Sequence, residues 1–238
     1  DATTYGRNNV WQDYLKVKHL ETSSAIDSTD GSSGTVTSGP AAVTGKVGTG
    51  LDFDGVNDTV ADGTISLGTA YTVSVWVKFN VLSNIFHGIY TYGRNNGSNM
   101  YFWMDASSTQ KPRFQVFDSS GNFARVTGTS SLTTGVWYNF VGVRNGDDVE
   151  LFINNSSVGT ASNTIGTINN TDSPLLGAWR NSDGTSNGWL DGVLDETKIR
   201  STALTSSQVA TEYANQNNPG TFWTQATPDD PSVSGGTN

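Results

Sequence analysis

The run from Tyr71 to Phe79, Tyr-Thr-Val-Ser-Val-Trp-Val-Lys-Phe, changes character at almost every residue. In an extended chain Val73, Val75, Val77 and Phe79 share one face and Ser74, Trp76 and Lys78 the other, as in a strand with one side in a core. Further β-branched or aromatic runs, divided by clusters of Gly, Asn, Asp and Ser, fall at 14–20, 50–53, 59–61, 88–92, 100–104, 113–117, 124–128, 137–144, 149–153, 175–177 and 192–199. About a dozen strands at this spacing predict an all-β fold, a two-sheet antiparallel jelly-roll β-sandwich.

Turn chemistry agrees with this reading. Asn96-Gly97, Asn145-Gly146 and Asn187-Gly188 separate runs, and Asn-Gly readily adopts the positive φ of tight hairpins. The clearest hairpin joins 137–144 to 149–153 through Asn145-Gly146-Asp147-Asp148. One short C-terminal helix is expected over 205–216, where Thr205 and Gln208 form a capping box and Asn217-Asn218-Pro219-Gly220 ends it. Residues 1–226 then make one domain. The Pro/Ser/Gly-rich stretch 227–238 reads as a linker or tail leading to a further module. A chain opening on Asp1 is expected to be a processed protein or a piece of a longer one. The hexapeptide Thr-Tyr-Gly-Arg-Asn-Asn occurs at 4–9 and again at 91–96 with unlike flanks, which excludes a solenoid and leaves local turn chemistry or a shared loop.

Composition narrows the functional classes. There is no Cys, hence no disulfide framework and no thiolate site. The formal net charge is −9 with only 15% charged residues, a poor match to the phosphate electrostatics of nucleic-acid binding. No apolar stretch is long enough for a membrane span, so no membrane insertion is expected. Solubility carried by Ser, Thr, Asn and Gly suits an extracellular, secreted or surface-exposed protein. His19 and His87 have no metal-ligand spacing.

Four segments in order carry a family resemblance. They are Val17-Lys18-His19-Leu20 with Asp27-Ser28-Thr29-Asp30-Gly31; Gly45-Lys46-Val47-Gly48 with Leu51-Asp52-Phe53-Asp54-Gly55-Val56-Asn57-Asp58; Gly135-Val136-Trp137-Tyr138 with Val149-Glu150-Leu151-Phe152-Ile153-Asn154; and Leu190-Asp191-Gly192-Val193-Leu194-Asp195-Glu196-Thr197-Lys198-Ile199 followed by Ala203-Leu204-Thr205. Together they resemble the bacterial and viral laminin G-like jelly-roll domains of the concanavalin A-like lectin/glucanase superfamily, over nearly the whole chain. Lys18, Asn155 and Thr197 depart from the usual pattern. Most of these motifs read as architecture: Asp54-Gly55 and Asp191-Gly192 as turn dipeptides, Trp137 and Tyr138 as residues in or beside the core.

The resemblance implies a structural calcium near Asp27 and Asp195, with Asp30, Asp58 and Glu196 as further oxygen donors. It also brings in glycoside hydrolases, whose paired carboxylates sit close together on one strand. Here Asp191 with Asp195 and Glu196 comes nearest, without the alternating glutamates, so no catalytic residue is assigned. Ligand binding is the stronger expectation. Tyr90 and Tyr92 on one strand and Tyr101 and Trp103 on another would form an aromatic platform flanked by Arg94, Arg113 and Gln115. Trp179 and Arg180, with Asn181 and Asp183, give a second site on a rim. Aromatic faces beside planar polar groups suit sugar rings. The sequence thus predicts a carbohydrate-binding or adhesive module of a larger protein, whose partners are a glycan or polysaccharide and neighbouring domains. A purely structural spacer and a diverged glycanase are the alternatives.

Overall fold

A computed structural model describes residues 13–21, 25–82, 86–95, 97, 99–105, 110–168 and 170–219. The expected tail at 227–238 and the first hexapeptide at 4–9 lie outside these residues.

Along the chain come β1 (Tyr14–Lys18), β2 (Thr35–Thr37), β3 (Ala41–Thr44), β4 (Thr49–Asp54), β5 (Thr59–Ala61) and β6 (Ala70–Phe79). Then follow β7 (His87–Gly93), β8 (Asn99–Met104), β9 (Pro112–Phe117), β10 (Phe123–Thr127), β11 (Trp137–Asn145) and β12 (Asp148–Ile153). The last elements are β13 (Ser156–Ser162), β14 (Leu175–Leu176), β15 (Trp179–Arg180), β16 (Ser186–Asn187), β17 (Asp191–Arg200) and helix α1 (Ser206–Asn217). One sheet runs β13-β12-β11-β6-β17-β4-β3, with β1 also paired to β17; the other runs β10-β9-β8-β7-β14-β5-β2. Strand pairs in both are antiparallel, and β15–β16 forms a separate ribbon.

The period-two pattern of β6 places its side chains as expected. Val73, Val75, Val77 and Phe79 enter the core and meet Tyr90, Tyr92, Met100, Phe102, Met104, Phe114 and Val116 from the opposite sheet. Full burial of an aliphatic or aromatic side chain stabilises by roughly 1.5–3 kcal/mol, so this layer is the principal source of stability. Gly142 marks its closest approach: a Cβ there would lie 2.7 Å from the rings of both Phe102 and Phe114.

Strands β2, β3, β13, β15 and β16 were not foreseen. They are short or rich in Ser, Thr, Gly and Ala, and lie at sheet edges or in the ribbon, where pairing rather than apolar alternation defines them. The β11–β12 hairpin forms, with a two-residue loop of Gly146, at φ 66°, and Asp147.

Helix α1 starts at the expected capping box: Thr205 Oγ1 accepts from Gln208 N, and Thr205 N donates to Gln208 Oε1. The helix lies on the outer face of the first sheet. Val209 packs with Val141, Val143, Phe152 and Leu204. Tyr213 stacks on Trp76 at 5.5 Å, and Trp76 Nε1 donates to Gln216 Oε1 at 2.8 Å. Trp76 is therefore buried although it points away from the core.

The Gly45-Lys46-Val47-Gly48 motif has a direct physical reason. Asp195 Oδ2 accepts from Lys46 N at 2.8 Å and Val47 N at 2.9 Å, tying this turn to β17. A Cβ on Gly45 would stand 2.6 Å from the same oxygen. Asp54 caps its own turn through Val56 N and Asn57 N, as expected. Asp191-Gly192 is not a turn but the start of β17, where a Cβ on Gly192 would sit 2.6 Å from the Lys78 carbonyl oxygen.

Candidate ligand-binding face

The candidate site is the outer face of β8, β9 and β10, at one edge of the second sheet. Alternate residues of these strands, from Met100 to Val126, fill the core, so the intervening ones face out. Strand register sets them in three rows: Trp103–Arg113–Thr127, Tyr101–Gln115–Arg125 and Asn99–Phe117–Phe123. Neighbouring positions are about 4.8 Å apart across strands and about 6.7 Å apart along them. Burial falls across each row. Asn99, Tyr101 and Gln115 form a floor, whereas Arg125, Phe123 and Thr127 are exposed.

Walls stand on the β7 side. Phe86, just before β7, stacks on Trp103 with centroids 4.8 Å apart and planes at 15°. Trp179 of the β15–β16 ribbon meets Phe86 edge-on at 6.1 Å and Tyr101 at 6.5 Å. Gly188, at φ 57°, leaves room for this ring, since a Cβ there would stand 2.1 Å from Trp179 Nε1. The far boundary is the Phe117–Phe123 stack at 5.7 Å. Arg125 lies between the two aromatic groups, 5.9 Å from the Trp103 ring and 5.2 Å from the Phe123 ring.

A hydrogen-bonded chain crosses the floor. Arg125 Nε donates to Gln115 Oε1 at 2.7 Å, and Gln115 Nε2 donates to Asn99 Oδ1 at 3.2 Å. Asn99 Nδ2 in turn donates to the carbonyls of Arg94 and Gly97. The links orient both amides and Arg125 in advance, which lowers the ordering cost of binding. Arg113 Nη2 pairs with Asp105 at 2.7 Å and its guanidinium lies 5.7 Å from the Trp103 ring. Burial, then the nearby Arg113 charge, lowers the Arg125 pKa.

The expected four-aromatic platform needs correction. Strands β7 and β8 are neighbours, but Tyr90 pairs with Phe102 and Tyr92 with Met100, so both tyrosines face the core. Their hydroxyls find partners inside: Tyr90 donates to Asp62 Oδ2 at 3.3 Å, and Tyr92 to the Ile65 and Asn170 carbonyls. Only Tyr101 and Trp103 remain on the outer face. Tyr101 is 2% exposed and serves as floor, its hydroxyl bound to the Gly93 carbonyl.

The rim residues mostly brace the ribbon. Arg94 makes a two-pronged pair with Asp172 at 2.9 and 3.1 Å. Arg180 Nη1 donates to the Ser173 carbonyl, and Arg94 bridges Arg180 along the backbone. Sequence reasoning overlooked Phe86, Phe117, Phe123 and Arg125. Alternation in Phe123-Ala-Arg-Val-Thr127 already places Phe123 and Arg125 on one face; the contribution of Phe86 depends on the path of a loop.

The five expected calcium ligands are occupied by protein groups and do not form one site. Asp27 is buried, paired to Lys16 Nζ at 2.9 Å, and accepts from Val17 N, Thr29 N and Thr29 Oγ1. Asp30 also meets Lys16, and Asp58 Oδ2 accepts from Asp54 N. Asp195 holds the 45–48 turn, while Glu196 is bound by His19, Lys198 and Gln216. Among the described residues no group of three or more His, Cys, Asp or Glu is arranged to hold a metal ion. Each of these carboxylates thus has at least one protein partner in this fold.

Residues 52–210 match the family model described as the concanavalin A-like lectin/glucanases superfamily. The chain belongs to that superfamily, as a laminin G-like jelly-roll domain. Nothing among curated proteins matches it. Solved structures with the same fold include the binding domain of Paraclostridial mosquitocidal protein 1, at TM-score 0.70 and 16% identity, over 87% of this chain and 53% of that one. Domain 4 of AbnA, an extracellular arabinanase from Geobacillus stearothermophilus solved with arabinotriose, matches at TM-score 0.66 and 21% identity, over 85% of this chain and 98% of that one. The receptor-binding domain of botulinum neurotoxin D matches at TM-score 0.64 and 14% identity, over 86% and 53% respectively. The chain thus spans about half of the two toxin binding domains and nearly all of the arabinanase domain.

Proposed function

We propose that this chain is a non-catalytic carbohydrate-binding module of a larger, secreted or surface-exposed protein, and that it engages a polysaccharide on the outer face of β8–β10. The observation that carries this reading is the open strip in which Arg113, Gln115 and Arg125 run between the Phe86–Trp103 and Phe117–Phe123 stacks. A sugar ring has an apolar C–H face for aromatic groups and equatorial hydroxyls for planar amides and guanidiniums. The arabinotriose complex of the arabinanase domain lends support by fold alone. The non-catalytic part is supported by Asp195 and Glu196, the carboxylates nearest to a glycanase pattern, being buried and engaged in anchoring contacts. Among the described residues no helix is long and apolar enough to cross a membrane.

The test is affinity electrophoresis against a panel of soluble polysaccharides. At least one should retard the chain, and Arg113→Ala with Phe86→Ala should abolish the retardation while the fold persists. Failure to bind any glycan would instead favour a structural spacer, and polysaccharide turnover lost on Asp195→Asn would favour a glycanase.

A further inference from the structure

Building on the proposed sugar-binding face, we infer that its ligand is an acidic saccharide, with an anionic oxygen group seated between Arg113 and Arg125. The buried side-chain atoms of the strip that lack a partner are both donors. Trp103 Nε1 and Arg113 Nε are buried and have no hydrogen-bond partner among the described residues. Arg125 makes one hydrogen bond among them, through Nε to the neutral Gln115, and no ion pair, which leaves its two Nη groups free on an exposed side chain. Asp105 is ion-paired with Arg113 and also acts on Arg125 through its charge, so two guanidiniums face one carboxylate. The strip therefore carries a surplus positive charge, in a chain whose net charge is −9.

Two features turn that surplus into a recognition device. The floor chain from Arg125 through Gln115 and Asn99 fixes the guanidinium by its Nε edge, so its Nη edge is offered outward. A guanidinium edge matches the two oxygens of a carboxylate or sulfate, and charge-assisted bonds of this kind are about twice as strong as neutral ones. The flanking rings meanwhile cover the apolar side of a pyranose. The net charge of −9 disfavours simple ion-exchange binding over the molecule as a whole.

Isothermal titration of the full chain tests the inference with four probes: polygalacturonate, its fully methyl-esterified form, dextran sulfate and dextran. Esterification keeps the sugar ring and removes the charge. The expected result is binding of polygalacturonate or dextran sulfate, weaker by about tenfold or more on esterification or desulfation, since one charged hydrogen-bonded contact is worth about that factor. Preference between the two polyanions tells carboxylate from sulfate. Arg125→Gln should bring the charged and uncharged forms to the same affinity, and Arg125→Lys should recover only part of the preference, because it restores charge without the fork. Equal binding of charged and neutral probes, abolished by Phe86→Ala, would overturn the inference and leave the sugar-binding reading intact. Absence of binding to any probe or wider glycan panel would overturn both.

Discussion

Phe86 lies face to face with Trp103, their ring centroids 4.8 Å apart. The contact joins the segment before β7 to β8, the innermost strand of the candidate site, so one face of Trp103 is covered and Phe86 becomes the outer ring of the wall. Phe86→Ala is expected to weaken glycan binding by about 1–2 kcal/mol, the scale of an aromatic contact plus its buried area. The melting temperature should shift by only a few degrees. Titration calorimetry and a thermal melt on the same sample check both halves.

Tyr90→Phe separates core from platform. Removing the hydroxyl leaves buried Asp62 one donor short, beside Lys18 Nζ at 3.1 Å. A destabilisation of about 1–3 kcal/mol in urea unfolding is expected, with glycan affinity unchanged. Lost affinity in a fully folded Tyr90→Phe protein would return this residue to the ligand face.

Gly142→Val should destabilise the fold by about 1–3 kcal/mol or more, because new methyl groups would press on the Phe102 and Phe114 rings that face it. Gly45→Ala should detach the 45–48 turn from Asp195. Urea midpoints report both, and the second change should also raise hydrogen exchange at Lys46 and Val47, whose N–H groups lose their acceptor.

Stability should fall as pH rises from mildly acidic to mildly alkaline. Burial pushes the Asp195 carboxyl from 3.8 up to about 7, so its contribution is complete below about pH 4 and is lost as pH rises through about 7. The hydrogen bond to Glu196 raises His19 above 6.5, a contribution present below that value and lost above it. Burial works against ionising Glu196, yet the His19 bond and the Lys198 charge hold it below 4.5, so its share is lost only as pH falls towards and below that value. The melting temperature should therefore be higher at about pH 5.5 than at about pH 8, and Asp195→Asn should flatten the slope. A flat wild-type profile would contradict this assignment.

Much of the fold could be read from single strands because alternation is local. The valines of β6, the β11–β12 hairpin and the Thr205–Gln208 box all stand where periodicity and turn chemistry put them. What remained hidden depends on pairing. Whether Tyr92 sits opposite Met100 or Tyr101 is a matter of register, and the register decides that both β7 tyrosines point inward. The partners of the carboxylates were hidden for a related reason: Lys16 meets Asp27, and the 45–48 turn meets Asp195, only once the chain is folded. Ser/Thr-rich β13 escaped notice because an edge strand buries too little to need a pattern.

The most direct test is a crystal structure of the chain with a bound oligosaccharide drawn from the best-binding polysaccharide. The predicted result is a sugar lying across β8–β10, with its ring against Phe86 or Trp103 and its oxygens on Arg113 and Arg125. A ligand found instead in the groove of about 600 Å³ on the opposite sheet, lined by Val143, Glu150, Thr160 and Leu204, would contradict it.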